Sequence, residues 1–285
     1  MQFAVAGVGY TGRRVLAALG NGIGISRQPV DGLIAERLFV RDLDAAPVES
    51  VALSGPACLL YTIPPTQDAG ADRRLARLLE ALRPIPRRIV YLSTSGVYGD
   101  RGGALTDESV LPRPASDRSL RRWETEKLLI NFGINTGCDS VILRVSGIYG
   151  PGRMGTGRLA TATPILRESD ANPGNRIHID DLVSCCLAAM QPEAPAGIYN
   201  VGDGDFRSST WFTLKVAEMM GAEPPPQVSR EEAASTFPRH RLAFLRESRQ
   251  LDTRKMRDTL GVLPRYLDAE EGIRDSLAED GLLRL

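Results

Sequence analysis

The chain opens on an apolar run, Phe3-Ala4-Val5-Ala6, that ends directly in Gly7-Val8-Gly9-Tyr10-Thr11-Gly12 and continues as Arg13-Arg14-Val15-Leu16-Ala17-Ala18-Leu19. Continuous apolar positions, then glycines, then helical spacing predict a buried strand, a tight turn and a helix. The alternation recurs downstream. Leu38-Phe39-Val40, Cys58-Leu59-Leu60-Tyr61-Thr62, Arg88 to Ser93 and Ser140 to Arg144 predict short buried strands, with helices expected over Arg73 to Leu82 and around Leu120 to Phe132. Strands that are apolar throughout and alternate with helices predict an α/β fold, a Rossmann-type doubly wound parallel sheet covered on both faces. Later the pattern changes. Gly150 to Gly157 is rich in turn residues, Trp211 to Met220 reads as a helix, and Glu223-Pro224-Pro225-Pro226 breaks the chain. The expected organisation is a dinucleotide-binding Rossmann domain over 1–165, to which 177–205 returns through Ile198-Tyr199-Asn200-Val201, and a smaller C-terminal substrate-covering part over 206–285.

The first turn has the form Gly-x-Gly-x-x-Gly between a strand and a helix, the order a dinucleotide site requires. Gly7 permits the turn, Gly9 lets backbone approach a pyrophosphate, Gly12 lets helix and strand pack closely, and the N–H groups around Tyr10 and Thr11 point at the anion. The residue that selects between NAD and NADP is expected at the end of the second strand, about 20 residues on. There the chain reads Gly22-Ile23-Gly24-Ile25-Ser26-Arg27. Ser26 and Arg27 suit a 2′-phosphate, so NADP is the expected cofactor, while nearby Asp31 keeps NAD open. In such sheets ligands lie beyond the carboxyl ends of the strands, which singles out Ile63-Pro64-Pro65, Thr94 to Tyr98 and Val145 to Arg153 as well.

Charge narrows the partners. Lys plus Arg equals Asp plus Glu at 35 each, so no net field attracts nucleic acid or an anionic membrane. No apolar run has the length of a membrane span, and no signal-like segment precedes the first strand, which suggests a cytoplasmic protein taking a small-molecule substrate. Cys58, Cys138, Cys185 and Cys186 lack metal-ligand spacing and read as buried thiols. With His178 and His240 the only histidines, no metal is expected.

Four segments, in order, carry a resemblance: Gly7 to Gly12; Tyr91-Leu92-Ser93-Thr94-Ser95-Gly96-Val97-Tyr98-Gly99-Asp100; Leu143 to Arg153; and Asn175-Arg176-Ile177-His178-Ile179-Asp180-Asp181-Leu182. Together they resemble the extended short-chain dehydrogenase/reductase superfamily in its NAD-dependent epimerase/dehydratase branch, in an atypical form. The resemblance implies an oxidoreductase or epimerase/dehydratase acting on a small polar substrate of the sugar or nucleotide-sugar kind, and a homodimer. It also implies that Thr94, four residues before Tyr98, hydrogen-bonds the reacting oxygen, with Ser95 beside it.

The resemblance further implies a Tyr-x-x-x-Lys proton relay on the following helix, and this the chain lacks. Lys127 is the one lysine of that helix and so the candidate for the lysine's place against cofactor and substrate, yet Trp123 stands four residues before it. Placing the helix by Glu126 instead puts Arg118 and Arg122 at the two positions. Neither indole nor guanidinium can act as the acid. Tyr98 and Tyr149 are therefore the candidate proton carriers, with Asp100 and His178 behind them. Arg153, Arg176 and Arg144 could meet an anionic substrate with a bidentate fork. In 177–182, Asp180 reads as a helix N-cap and Asp181 as a first-turn charge. The other function consistent with a missing relay is a non-catalytic NADP-binding sensor or scaffold.

Overall fold

The computed structural model describes residues 2–284 except 33–34, 46–47, 54–56, 239–240, 243–244 and 246, so His240 lies outside the described residues. Seven strands make one sheet: β1 Gln2–Ala6, β2 Ile23–Ser26, β3 Leu38–Val40, β4 Ala57–Tyr61, β5 Arg88–Thr94, β6 Asp139–Val145 and β7 Gly197–Val201. Their order across the sheet is β3-β2-β1-β4-β5-β6-β7, and every pairing is parallel. The order reverses between β1 and β4, which opens a crevice at their carboxyl ends.

The principal helices are α1 Tyr10–Leu19, α2 Arg73–Ala81, α3 Asp117–Thr136, α4 Ile179–Met190, α5 Ser209–Met219, α6 Arg254–Leu260 and α7 Ala269–Glu279. One face of the sheet buries Val5, Leu60, Val90 and Leu143 against Val15 and Leu16 of α1 and Leu182, Cys185 and Cys186 of α4. The other face buries Ala4, Leu59, Ile89 and Ile142 against Leu75 and Leu78 of α2 and Leu129 of α3. Successive strand residues thus alternate between two cores. That is why the strands read as apolar throughout. All four cysteines are free and buried, and burial pushes the Cys58, Cys138 and Cys186 thiols up to about 12.

A buried ion pair fastens α3 to the sheet. Glu126 accepts from Arg144 Nη2 on β6 at 2.8 Å and from the Ser93 hydroxyl on β5. The smaller part has a core of its own, in which Tyr149 and Met154 pack with Val216 of α5 and Ala269, Ile273 and Leu277 of α7.

Two expectations need correction. The division at residue 206 is not clean, because Gln250–Leu251 pairs with Leu105–Thr106 and Met256 and Val262 join the sheet's core. Met256 fills the space beside Cys185, sulfur to sulfur at 3.4 Å. The N-cap of α4 is His178 rather than Asp180: its Nδ1 accepts from the Asp180 N–H at 3.2 Å. Asp181 is turned inward instead, taking the backbone N–H groups of Arg265 and Tyr266 at 2.7 and 3.1 Å.

The return from β7 carries a carboxyl in an unfavourable place. Asp203 is 4% exposed, its Oδ2 has no partner among the described residues, and burial raises its pKa to about 8. An unfolded Asp titrates near ~3.9, so the folded state holds the extra proton between about pH 4 and pH 8. This contribution to stability is complete below that window and lost as pH rises through it. Denaturant unfolding of Asp203→Asn against the parent, measured from pH 4 to pH 8, is expected to show a flatter profile in the variant. Equal slopes would show that Asp203 ionises normally.

Candidate functional site

The glycine turn forms from three separate steric demands. Gly7 has φ +94°, and a Cβ on it would lie 2.6 Å from Thr62 Oγ1 and 2.7 Å from Ile63 Cγ1, so the turn after β1 presses on the loop after β4. Thr62 Oγ1 donates to the Gly7 carbonyl at 2.7 Å and fixes the contact. A Cβ on Gly12 would sit 2.0 Å from the Gly7 carbonyl oxygen, which holds α1 tight against β1. Gly9 is different: a Cβ there would meet nothing within 4 Å. It N-caps α1 without a side-chain hydrogen bond, leaving the first-turn N–H groups open beside empty space. Residues 7–12 thus fit the pyrophosphate of a dinucleotide, with Tyr10 and Thr11 in the first turn of α1 and Ile63, Pro64 and Pro65 on the adjoining loop.

At the end of β2, Ser26 is half-buried and Arg27 is exposed. Arg27 Nη1 lies 3.7 Å from Asp44 Oδ2. Asp44 is itself held by Arg74, whose Nε and Nη2 each donate to it at 2.7 Å and keep its carboxyl below the usual range. One carboxylate therefore faces two guanidiniums. Asp31, in contrast, lines a cleft with Leu16, Ala17 and Gly20 along α1, away from the turn. Asp44 escaped the sequence reading because it stands outside any motif, after β3.

The loop after β6 closes the other side. Tyr10 donates from its hydroxyl to the Pro151 carbonyl at 2.9 Å, and a Cβ on Gly150 would lie 2.9 Å from that hydroxyl. Exposed Arg153 stacks on the Tyr10 ring, 5.2 Å from its centroid. At the end of β5, Thr94 caps the short turn Ser95–Tyr98, its Oγ1 accepting from the Gly96 N–H at 3.2 Å. Ser95 is buried beneath it. Ser119 of α3 packs on the same turn, 2.6 Å from where a Gly96 Cβ would stand.

Glu126 sets the rotation of α3. Arg122, one turn earlier, points inward and donates from Nη1 to the Leu92 carbonyl, with Tyr91 Oη at 3.4 Å. Arg118 lies one turn earlier again, at the carboxyl edge of the sheet. Lys127 falls on the outer face, 2.8 Å from Glu124 and 4.3 Å from the Trp123 ring centroid, and lines a groove with Leu79 of α2 and Phe132.

The structure therefore gathers Gly7, Gly9, Tyr10, Thr11, Gly12, Ile63, Thr94 and Arg153 around one crevice, with Ser26 and Arg27 at its far end. It does not bring Tyr98, Lys127, Tyr149 or Arg176 there. Tyr98 is fully buried and donates to Asn200 Oδ1 at 2.8 Å, and burial raises its pKa. Tyr149 is packed edge-on against His178 and Phe212 with ring centroids 5.2 and 5.3 Å away, and burial raises its pKa strongly. Arg176 is buried against Asp205 at 3.4 Å and donates to the Ser208 carbonyl at 3.0 Å, tying two segments together. Asp100 accepts from the Gly102 and Ser248 N–H groups at 3.1 and 2.9 Å, and serves as a loop clamp. His178 is buried with its Nε2 3.1 Å from Ser276 Oγ. Arg144 is spent on Glu126.

The model of the NAD dependent epimerase/dehydratase family matches residues 73–202, the span that supplies β5, α3, β6 and the loops around Thr94 and Arg153. Over that span the chain is similar to the NAD-dependent epimerase/dehydratase family. Among similar proteins, Protein YeeZ of Escherichia coli K12 is 26% identical over 244 residues, 79% of this chain and 85% of that protein. A solved structure described as a functionally unknown conserved protein from Silicibacter pomeroyi shares 26% identity and superposes with a TM-score of 0.79 over 98% of both chains. MoeE5, solved in complex with UDP-glucose and NAD, superposes with a TM-score of 0.77 at 21% identity over 98% of both chains, which shows a common fold.

The different surroundings of the three glycines separate fold from binding. Gly12→Ala is expected to destabilise the protein, since its methyl group collides with fixed backbone, whereas Gly9→Ala should leave the thermal midpoint unchanged and weaken dinucleotide binding. Differential scanning fluorimetry with and without NADPH checks both. A Gly9→Ala protein that binds as the parent does would remove Gly9 from the pyrophosphate site.

Proposed function

We propose that this protein is an NADP(H)-dependent enzyme of the oxidoreductase or epimerase/dehydratase kind, acting on a small polar substrate of the nucleotide-sugar class. The observation that carries the reading is the open, uncapped α1 N-terminus at Gly9, set at the reversal point of the sheet where ligands of this fold bind. The UDP-glucose and NAD held by MoeE5 support the substrate and cofactor classes. A bound nicotinamide supplies the hydride or accepts it.

For the cofactor's 2′-phosphate the reading relies on Arg27 and Ser26. Asp44 already receives two short hydrogen bonds from Arg74, so the 3.7 Å contact leaves the exposed Arg27 available to a phosphate. For the substrate it relies on Thr94. Because Thr94 Oγ1 accepts from the Gly96 N–H, its own hydrogen is directed to another acceptor, and an oxygen gaining negative charge beside it would be stabilised. Lys127 has no role in this reading, since its ammonium is engaged with Glu124 outside the crevice.

A second reading is favoured by a specific observation. Tyr98 and Tyr149 are buried away from the crevice, and no tyrosine stands between them in the sequence. A protein that keeps the dinucleotide pocket without the Tyr-x-x-x-Lys relay suits a sensor or scaffold that binds NADP without turning it over. A positioned acid or base is worth about 10² to 10⁴ in rate, so its loss slows such chemistry heavily.

The test is a nicotinamide-fluorescence titration of NADPH and NADH, paired with a turnover screen on nucleotide sugars. Arg27→Ala is expected to weaken NADPH about tenfold, the worth of one charge-assisted hydrogen bond, and to leave NADH unchanged. Turnover that is abolished in Thr94→Ala supports the enzyme. Tight NADPH binding without turnover supports the sensor. Failure of both nucleotides to bind would overturn the two readings together.

A further inference from the structure

We infer that Arg118 and Arg153, with Arg122 beneath them, form an oxyanion site beside Thr94 that takes a carboxylate or phosphate group of the substrate. The inference rests on the proposed function only in calling that ligand the substrate; the anion site stands on the arrangement of the arginines.

Arg118, Arg122 and Glu126 follow one another at intervals of four residues, so they share the face of α3 that meets β5. The deeper two are fixed. Glu126 is paired with Arg144, and Arg122 is held by the Leu92 carbonyl rather than by a carboxylate. Exposed Arg118 stands in the first turn of α3, next to the Ser119 that packs on the Thr94 turn. Arg153 comes from the opposite wall, on a loop held twice: Tyr10 donates to the Pro151 carbonyl, and Asp280 accepts from the Gly152 N–H at 2.7 and 2.9 Å. The Asp280 carboxylate is thereby occupied.

Among the described residues, none of the three arginines forms an ion pair with a carboxylate. Arg118 has no hydrogen-bond partner there either. Arg118 is exposed, yet desolvation and then the charges of Arg122 and Arg153 push its pKa down, which puts these groups within electrostatic reach of one another. Several other arginines are neutralised by carboxylates, as in Arg144 with Glu126, Arg207 with Asp205 and Arg249 with Glu247. A convergence of unpaired guanidiniums at a ligand-binding edge is relieved by an anion, and the planar forks of Arg118 and Arg153 match a carboxylate or phosphate. Thr94 then stands beside the bound group, so the reacting carbon is one adjacent to it.

The experiment is calorimetric titration of the full chain with inorganic phosphate and with oxalate, each in the absence and presence of saturating NADPH. Saturable binding of either anion that persists with NADPH bound, falls at least tenfold in Arg118→Gln and in Arg153→Gln, and changes less than twofold in Arg121→Gln supports the site. Arg121 lies on the same helix and carries the same charge, but donates towards the Gln67 carbonyl at 3.4 Å. The tighter of the two anions identifies the group as phosphate or carboxylate. Circular dichroism of the variants confirms that they fold, and Arg118→Lys should retain part of the affinity. Three results would overturn the inference: no saturable binding, binding indifferent to Arg118→Gln, or competition between the anion and NADPH, which would assign the arginines to the cofactor's own pyrophosphate. An absence of NADPH binding with the arginine-dependent anion binding intact would sink the cofactor reading and leave the site standing.

Discussion

Burial of Glu126 with Arg144 sets the geometry on which the ligand-binding edge depends. Taking two charges out of water is costly, and the cost is offset only where geometry and extra hydrogen bonds are good. Here the carboxylate accepts from Arg144 on β6 and from Ser93 on β5, so a side chain of α3 is bound to two neighbouring strands at once. Removing one partner of such a pair typically costs about 3–5 kcal/mol. A helix held this way cannot rotate without leaving a charge unpaired. The positions of Arg122 and Arg118, one and two turns before Glu126, follow from that, as does the exclusion of Lys127 to the outer face.

The crevice has two ends with different physical character. Around the glycine turn, demands of close packing at Gly7 and Gly12 coincide with open space at Gly9, so the backbone is shaped before any ligand arrives. Around Thr94 the groups are mainly hydroxyl and guanidinium, with the Tyr10 phenol tied to the Pro151 carbonyl under Arg153. Such a set orients and stabilises negative charge well. It transfers protons poorly, because guanidinium does not deprotonate at working pH.

The walls of the crevice come from distant parts of the chain and are joined by single side-chain contacts. Tyr10 reaches across 141 positions to Pro151, and Asp280 to Gly152. The smaller part, with its own core around Tyr149 and Ile273, backs the loop that carries Arg153. The segment 250–262 returns to the sheet, and so the C-terminal region supports the Rossmann core as well as covering it.

Local pattern by itself determined the strands of the sheet, the helices as far as α5 and the glycine turn, because apolar periodicity and backbone sterics act between residues close in sequence. The doubly wound sheet followed from the alternation of these elements, and so did the places of Ser26, Arg27 and Thr94 at strand ends. Tertiary structure alone decided which residues of a segment face the crevice. Tyr98 is four residues from Thr94 yet buried on Asn200, and Tyr149 is four residues from Arg153 yet packed on Phe212. Asp44 meets Arg27 only after the chain has passed through β3. The direction of a side chain depends on the rotation of its element against its neighbours, and on α3 one buried ion pair with a residue 18 positions away sets that rotation.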